Sequence, residues 1–373
     1  MFDMRTLLIF FATSAALAQT VPQTVNSGTA ESLRGVSAIS RTVAWASGTH
    51  GTYLRTTDGK IWIPEQVPGA ETLDFRGVVA FSEEEAFLMS AGPGEQSRIY
   101  HTDDAGRHWQ LQYTNKNPKG FFDSIVFWDR THGIVLGDPV PDEAGKLKFE
   151  LLMTEDGKSW NPIAGSELAA AVEGEGAFAA SNSCVAILAG KGLGAADGNI
   201  WFATGGKVAR VFHSADRGKT WQVFETPIVH GADSMGIFSI AFRDAMHGVI
   251  AGGDYKHPER DGPNLAFTSD GGKTWSLSQI FPQAYYSAAA YDRTDEARLR
   301  RAGKVDSRDV DEDQAHLRIF LVGPNFVFDL RPPRNPTRIS PRKKSGKEFN
   351  AVSAYPGGGA LIVGSKGTIA TIP

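Results

Sequence analysis

A short box recurs five times along the chain: TTDGKIW at 56–62, TDDAGRHW at 102–109, TEDGKSW at 154–160, SADRGKTW at 214–221 and TSDGGKTW at 268–275. Repetition at a near-fixed period constrains a fold more than any single residue, because each copy is one supersecondary unit that completes its core against its neighbours. Every letter of the box predicts local structure. Asp58, Asp104, Asp156, Asp216 and Asp270 are placed to accept backbone N–H bonds just downstream, as in an Asx turn. The preceding Ser or Thr hydroxyl offers a second bond to the backbone, and Gly59, Gly106, Gly157, Gly218 and Gly272 supply left-handed angles. Trp62, Trp109, Trp160, Trp221 and Trp275 then open the next strand and bury a large apolar surface. On this reading the boxes are hairpin turns, and their aspartates are neither metal ligands nor catalytic acids.

Successive box tryptophans lie 47, 51, 61 and 54 residues apart. Before the boxes come pairs of short runs rich in Val, Ile, Phe and Ala and bounded by turn residues, such as RGVSAISRTVAWASG and GTYLRTT. With the strand after each Trp, every unit has four strands. Four-stranded antiparallel units at this period predict an all-β fold, a β-propeller. The tail FNAVSAYPGGGALIVGSKGTIATIP (349–373) repeats the head LRGVSAISRTVAWASGTHGTYLRTT (33–57) without a box. A further boxless unit is formed by YYSAAAYD and LRIFLVGPNFVFDLR. This predicts seven blades, at about 34–66, 75–115, 121–165, 177–228, 236–281, 285–341 and 349–373. Residues 20–27 are expected to supply the fourth strand of the last blade, closing the ring and removing exposed edges.

Residues 1–18 pair an early Arg5 with the apolar run 7–16 and end in Ala-Leu-Ala, the pattern of a secretory signal cleaved after Ala18. Export to the periplasm or beyond is the expectation, with a monomeric mature domain and no stable membrane insertion. The net charge of −4 argues against nucleic acid as a partner. The single cysteine, Cys184, excludes an internal disulfide. Two segments break the rhythm: a mixed-charge insertion at 293–316 and the basic run RPPRNPTRISPRKKSGK at 331–347. Both read as solvated loops, with a docking strip for an acidic partner or lipid surface as the alternative.

Propeller topology places the boxes on one face and the blade starts and second-to-third-strand loops on the other. Function concentrates on loops held by a rigid frame, so the candidate residues for a ligand or partner are taken from that second face. They are Arg34, His50, Arg76, Glu95, Arg98, Asp123, Asp138, Glu175, Asp254, Tyr255, Lys256, Tyr285 and Tyr286. Trp201 is assigned to the same set of loops. The stretch ILAGKGLGAADG approximates a dinucleotide fingerprint but no helix pattern follows it. DYKHPERDG clusters acids and a histidine without metal-site spacing. No cofactor, no metal and no catalytic residue is therefore expected.

The boxes match the Asp-box or BNR repeat shared by sialidases, sortilin-type receptors and many bacterial propellers. The stretches DFRGVVAF, MSAGPGEQSRIYHTDDAGRHWQLQYTNKNPKGFFDSIVFWD, GEGAFAAS, ARVFHSADRGKTW and GIFSIAFRDAMHGVIAGGDY resemble exported bacterial propellers related to the plant photosystem II stability/assembly factor. The likeness runs over nearly all of the chain after residue 18 and departs in the sixth unit. It implies seven blades and a non-catalytic platform that binds a protein or peptide, with a glycan as a second option. The alternative resemblance, to sialidases, implies three arginines around a carboxylate, a Tyr–Glu nucleophile and an acid/base Asp. Arg34, Arg76, Arg98, Tyr285 or Tyr286, and Asp123 would fill those roles. However, no Ile-Pro follows Arg34 or Arg76, and those enzymes have six blades.

Overall fold

In the computed structural model, described over residues 22–163, 167–188, 198–278, 284–293, 318–324, 326–330 and 348–373, the strands assemble into seven antiparallel sheets. Blade 1 illustrates the unit: Leu33–Ala38, Ala44–Gly48, Thr52–Thr56 and Ile63–Gln66 pair in chain order from the inside out. The inner strands of successive blades contact one another all the way round, and that of blade 7, Phe349–Ala354, packs on blade 1. This is a seven-bladed β-propeller. Closure is as expected from the sequence: Gln23–Val25 pairs with Thr368–Ile372 as the fourth strand of the last blade, Gln23 opposite Thr371. The segments 1–18, 294–316 and 331–347, and the glycine-rich stretch at 189–197, lie outside the described residues.

The core is divided between blades rather than concentrated at one centre. Each buried cluster joins two adjacent sheets, as Trp45, Tyr53, Phe75, Leu88 and Tyr100 do for blades 1 and 2. Polar side chains stitch the same junctions near the axis. Ser37 Oγ accepts from the Ala80 amide, Asn182 Oδ1 from Ile125, Ser239 Oγ from Ala289, and Ser353 Oγ from Ala38. Such side-chain-to-backbone bonds keep inner-strand polar groups satisfied where no further strand can pair with them.

The boxes fold as predicted. In every copy the Ser/Thr hydroxyl accepts the amide of the box glycine at 2.8–3.0 Å, from Gly59 on Thr56 to Gly272 on Thr268. Every box aspartate also accepts at least one downstream amide, as Asp58 does from Lys60 and Ile61 at 2.8 Å. The extra residue of the longer copies, Ala105, Arg217 or Gly271, takes a left-handed φ of 58–79°. Amide bonds hold the Asp104 and Asp156 carboxyls down to about 2. Trp62, Trp160 and Trp275 are buried, whereas Trp109 and Trp221 are only half-buried.

Blade 4 carries what the repeat did not foretell. Its four strands are Val185–Ile187, Ile200–Ala203, Arg210–Ser214 and Gln222–Glu225, so Trp201 stands on a strand rather than a loop. Trp201 is wholly buried, stacked on Phe242 with ring centroids 3.8 Å apart. Two extra short strands, Glu175–Gly176 and Gly205–Gly206, extend from this blade and join the sheet of blade 5 at Ala232–Phe242.

Candidate binding site at the channel mouth

One device repeats on the inner strands. A register shift admits an extra residue between Leu33 and Gly35, Phe75 and Gly77, Phe122 and Ser124, Ile237 and Ser239, and Phe349 and Ala351. The inserted residues are Arg34, Arg76, Asp123, Phe238 and Asn350. A β-bulge re-aims the side chain it carries, and here it does so at the same height on five blades. The sequence signature is a large apolar residue, the bulge residue, then Gly, Ser or Ala. The small residue is required because the next blade passes close by. A Cβ on Gly77 would stand 2.8 Å from both Asn182 Oδ1 and Ile125 Cγ2.

The bulges lie at the start of each blade, opposite the boxes. Blade 1's second-to-third loop bonds the lead-in to blade 2 (Gly51 amide to Leu73 carbonyl, 2.7 Å), while the boxes sit under first-to-second turns, as Gly59 and Gly157 do against the Arg41 and Arg130 carbonyls and as the Ala105 amide does on the Glu84 carbonyl. The mouth is therefore built from the expected face, and its two halves differ in chemistry.

Blades 1 to 3 make a charged half. Asp74 takes Arg76 Nε at 2.8 Å and Arg34 Nη2 at 3.6 Å, with all three side chains between 22% and 29% exposed. Arg76 Nη1 also donates to the Ala179 carbonyl at 3.1 Å, reaching across to blade 4. Asp123 is buried, 1% exposed, and neither carboxylate oxygen has a hydrogen-bond partner among the described residues. Burial, and then the neighbouring Asp138, push its carboxyl well above the usual range, with Arg76 opposing. Asp138 is itself the extra residue of a bulge between Gly137 and Pro139 and accepts the Ala177 amide at 2.9 Å. Burial raises it to about 6.

Blades 4 to 6 make an aromatic half. Phe178 stacks on Phe238 at 3.8 Å and 11° between planes. Phe238 meets Tyr285 edge-on at 4.8 Å and Tyr255 at 6.1 Å. Glycines make the room, since a Cβ on Gly205 would fall 2.3 Å from the Phe178 ring. Tyr255 is 47% exposed and presents the cluster to solvent, beside the exposed Lys256.

The structure thus gathers Arg34, Arg76, Asp123, Asp138, Tyr255 and Tyr285 from the residues expected on this face, and adds Asp74, Phe178, Phe238 and Asn350. Others serve different ends. Both Glu175 oxygens are engaged, by Arg210, Thr204 and the Val172 amide, in a pair whose carboxylate is wholly buried. Tyr286 lies in the core between blades 5 and 6. Asp254 is buried and caps its own loop through the Lys256 amide. His50 pairs with Glu31 at 2.7 Å, and Glu95 with Lys116 at 2.7 Å, on separate exposed loops. Arg98 bonds the Glu95 carbonyl and Tyr100.

This arrangement does not reproduce a sialidase centre. Arg98 does not join Arg34 and Arg76 at Asp74, and burial pushes both the Tyr285 and Tyr286 phenols up, away from a readily ionised nucleophile. Among the described residues no group of His, Cys, Asp and Glu has the arrangement of a metal site, and no helix is long and apolar enough to cross a membrane.

Neither a family model nor a curated protein matches the sequence. Solved structures do match its shape. The chain is similar to one described as YCF48 bound to D1 peptide, with a TM-score of 0.62 at 14% identity over 96% of this chain and 98% of that one. It is also similar to the WD40 propeller domain of Doa1 and to streptogramin B lyase, both with a TM-score of 0.59 at 12% identity, covering 95% and 96% of this chain and 97% and 99% of theirs. At such identities the likeness is one of fold, and the fold is a seven-bladed propeller.

Proposed function

We propose that this chain is an exported, non-catalytic platform that holds a segment of another polypeptide at the channel mouth. The observation that carries this reading is the ring of bulged inner strands, which turns charged and aromatic side chains toward one opening while the opposite face is occupied by turn-forming boxes. Polar groups at one side and stacked aromatics at the other suit an extended chain with side chains of mixed character. That a propeller of the same shape is described with a bound peptide supports the choice of partner class. Resemblance to photosystem II assembly factors supports a role in assembly or stability of other proteins, and the pattern of residues 1–18 supports export.

The test is capture from the native envelope. Arg76→Ala and Tyr255→Ala should each deplete the captured partner at least about tenfold, as expected of central interface residues. Tyr255→Ala should melt within about 2 °C of the parent because Tyr255 is half exposed, whereas Arg76→Ala, which loses bonds to Asp74 and Ala179, is checked for folding by circular dichroism. Capture undiminished in both variants would remove the mouth as the binding site.

A further inference from the structure

The charged half of the mouth contains a buried carboxyl to which no described residue donates a hydrogen bond. Asp123 is 1% exposed and both its oxygens lack hydrogen-bond partners among the described residues. Buried carboxylates are ordinarily paired or hydrogen-bonded, and one that is not marks a place where something else supplies the partner. Arg76 is the cation acting on it, yet its guanidinium is committed to Asp74 and to the Ala179 carbonyl. A second carboxylate, Asp138, stands in the same neighbourhood.

The segment that bonds both Asp138 and Arg76 carries an aromatic residue. Residues 177–179 connect the two groups, since the Ala177 amide bonds Asp138 and the Ala179 carbonyl takes Arg76. Phe178, between them, is half-buried and stacked on Phe238. A carboxylate pair next to an aromatic face is the chemistry that recognises a lysine ammonium or an arginine guanidinium, through charge pairing and cation–π attraction together.

We propose that Asp123, with Asp138 beside it and Phe178 as its wall, is the socket for one basic side chain of the polypeptide held at the mouth. This rests on the polypeptide-binding reading above and adds the chemistry of the residue that is read. The cation enters past Arg76, the 28%-exposed lid of the charged half. It gives Asp123 the partner that no described residue supplies. A basic residue is thereby preferred at one position, whereas acidic segments are repelled by the two carboxylates.

An array of random nonapeptides, probed with the purified intact protein, tests both levels separately. The expected result is a set of binders enriched in Lys or Arg at one position, where norleucine in place of the basic residue weakens binding about tenfold. Asp123→Asn should abolish that preference while retaining binding to the rest of the sequence, with Asp138→Asn as a second variant weakening it. Circular dichroism verifies that each is folded. Binders without any basic preference, or a preference that survives both substitutions, overturn the socket and leave the platform standing. An array with no binders at all overturns the platform and the socket together.

Discussion

Asp123→Asn should make this protein more stable at pH 7, although it alters one of the most enclosed side chains in the molecule. In the folded state the carboxyl is raised well above its ordinary value by burial and by Asp138, whereas the unfolded chain keeps it near 4. The folded form therefore binds the proton more tightly. Its contribution is fully present below about pH 4 and is lost as pH rises through the folded value. For scale, the neighbouring Asp138, raised from 3.8 to about 6, corresponds to about 3 kcal/mol at neutral pH. Replacing the Asp123 carboxyl by an amide of the same shape leaves buried polar atoms in place but removes the cost of ionisation, for which about 1–3 kcal/mol is the expected scale. For a chain of 373 residues that is a rise of roughly 1–4 °C in melting temperature. Urea denaturation of parent and variant at pH 4, 5, 6 and 7 measures it directly. The two curves should nearly coincide at pH 4 and separate as pH rises, the variant the more stable. A variant destabilised at pH 7, or a difference that does not change with pH, would mean that Asp123 is ionised and compensated in the free protein.

Other perturbations test the frame. Glu175→Ala should cost about 3–5 kcal/mol in urea denaturation, because it strands Arg210 in a buried site where the carboxylate itself is wholly enclosed. Trp160→Ala, with its ring buried between blades 2 and 3, should cost about 3–5 kcal/mol. The half-buried Trp109 should cost measurably less in the same assay. The box carboxyls of Asp104, Asp156 and Asp216, held down to about 2, contribute stability that is present above pH 4 and lost as pH falls toward 2. Together with Asp123 and Asp138, this predicts a maximum in the urea midpoint at mildly acidic pH rather than at neutrality.

The boxes, the blade count and the Velcro closure were legible in the sequence because each depends on local chemistry. An Asx turn needs an Asp, a hydroxyl and a glycine within a few positions, and the repeat supplies all three. The mouth was legible only in part. Arg34, Arg76 and Asp123 follow from the blade starts, and the motif large–X–small at each was present as a signal: LRG, FRG, FDS, IFS and FNA. What it encodes is a register shift between two strands, which no single strand reveals. Phe238 is not legible as a mouth residue, because an aromatic residue in a strand ordinarily reads as core. Glu175 reads as available in the sequence because its partner Arg210 lies 35 residues away, on a strand of blade 4 that pairs in a different sheet. Trp201 reads as a loop residue because that blade's lead-in lacks the spacing of the others, although it stands on the strand Ile200–Ala203. Tyr286 occupies the slot that Phe75 and Phe122 fill in blades 2 and 3, where every occupant is buried.

The central claim, that partners are held on the mouth face and not on the box face, is tested most directly by position. A photo-crosslinking amino acid at Tyr255 or Lys256, both exposed at the mouth, should capture partner polypeptide in the native cell. The same group at Ile61, 68% exposed in the box of blade 1, should capture little or none. Equal capture from the two faces, or capture from Ile61 alone, would contradict the account.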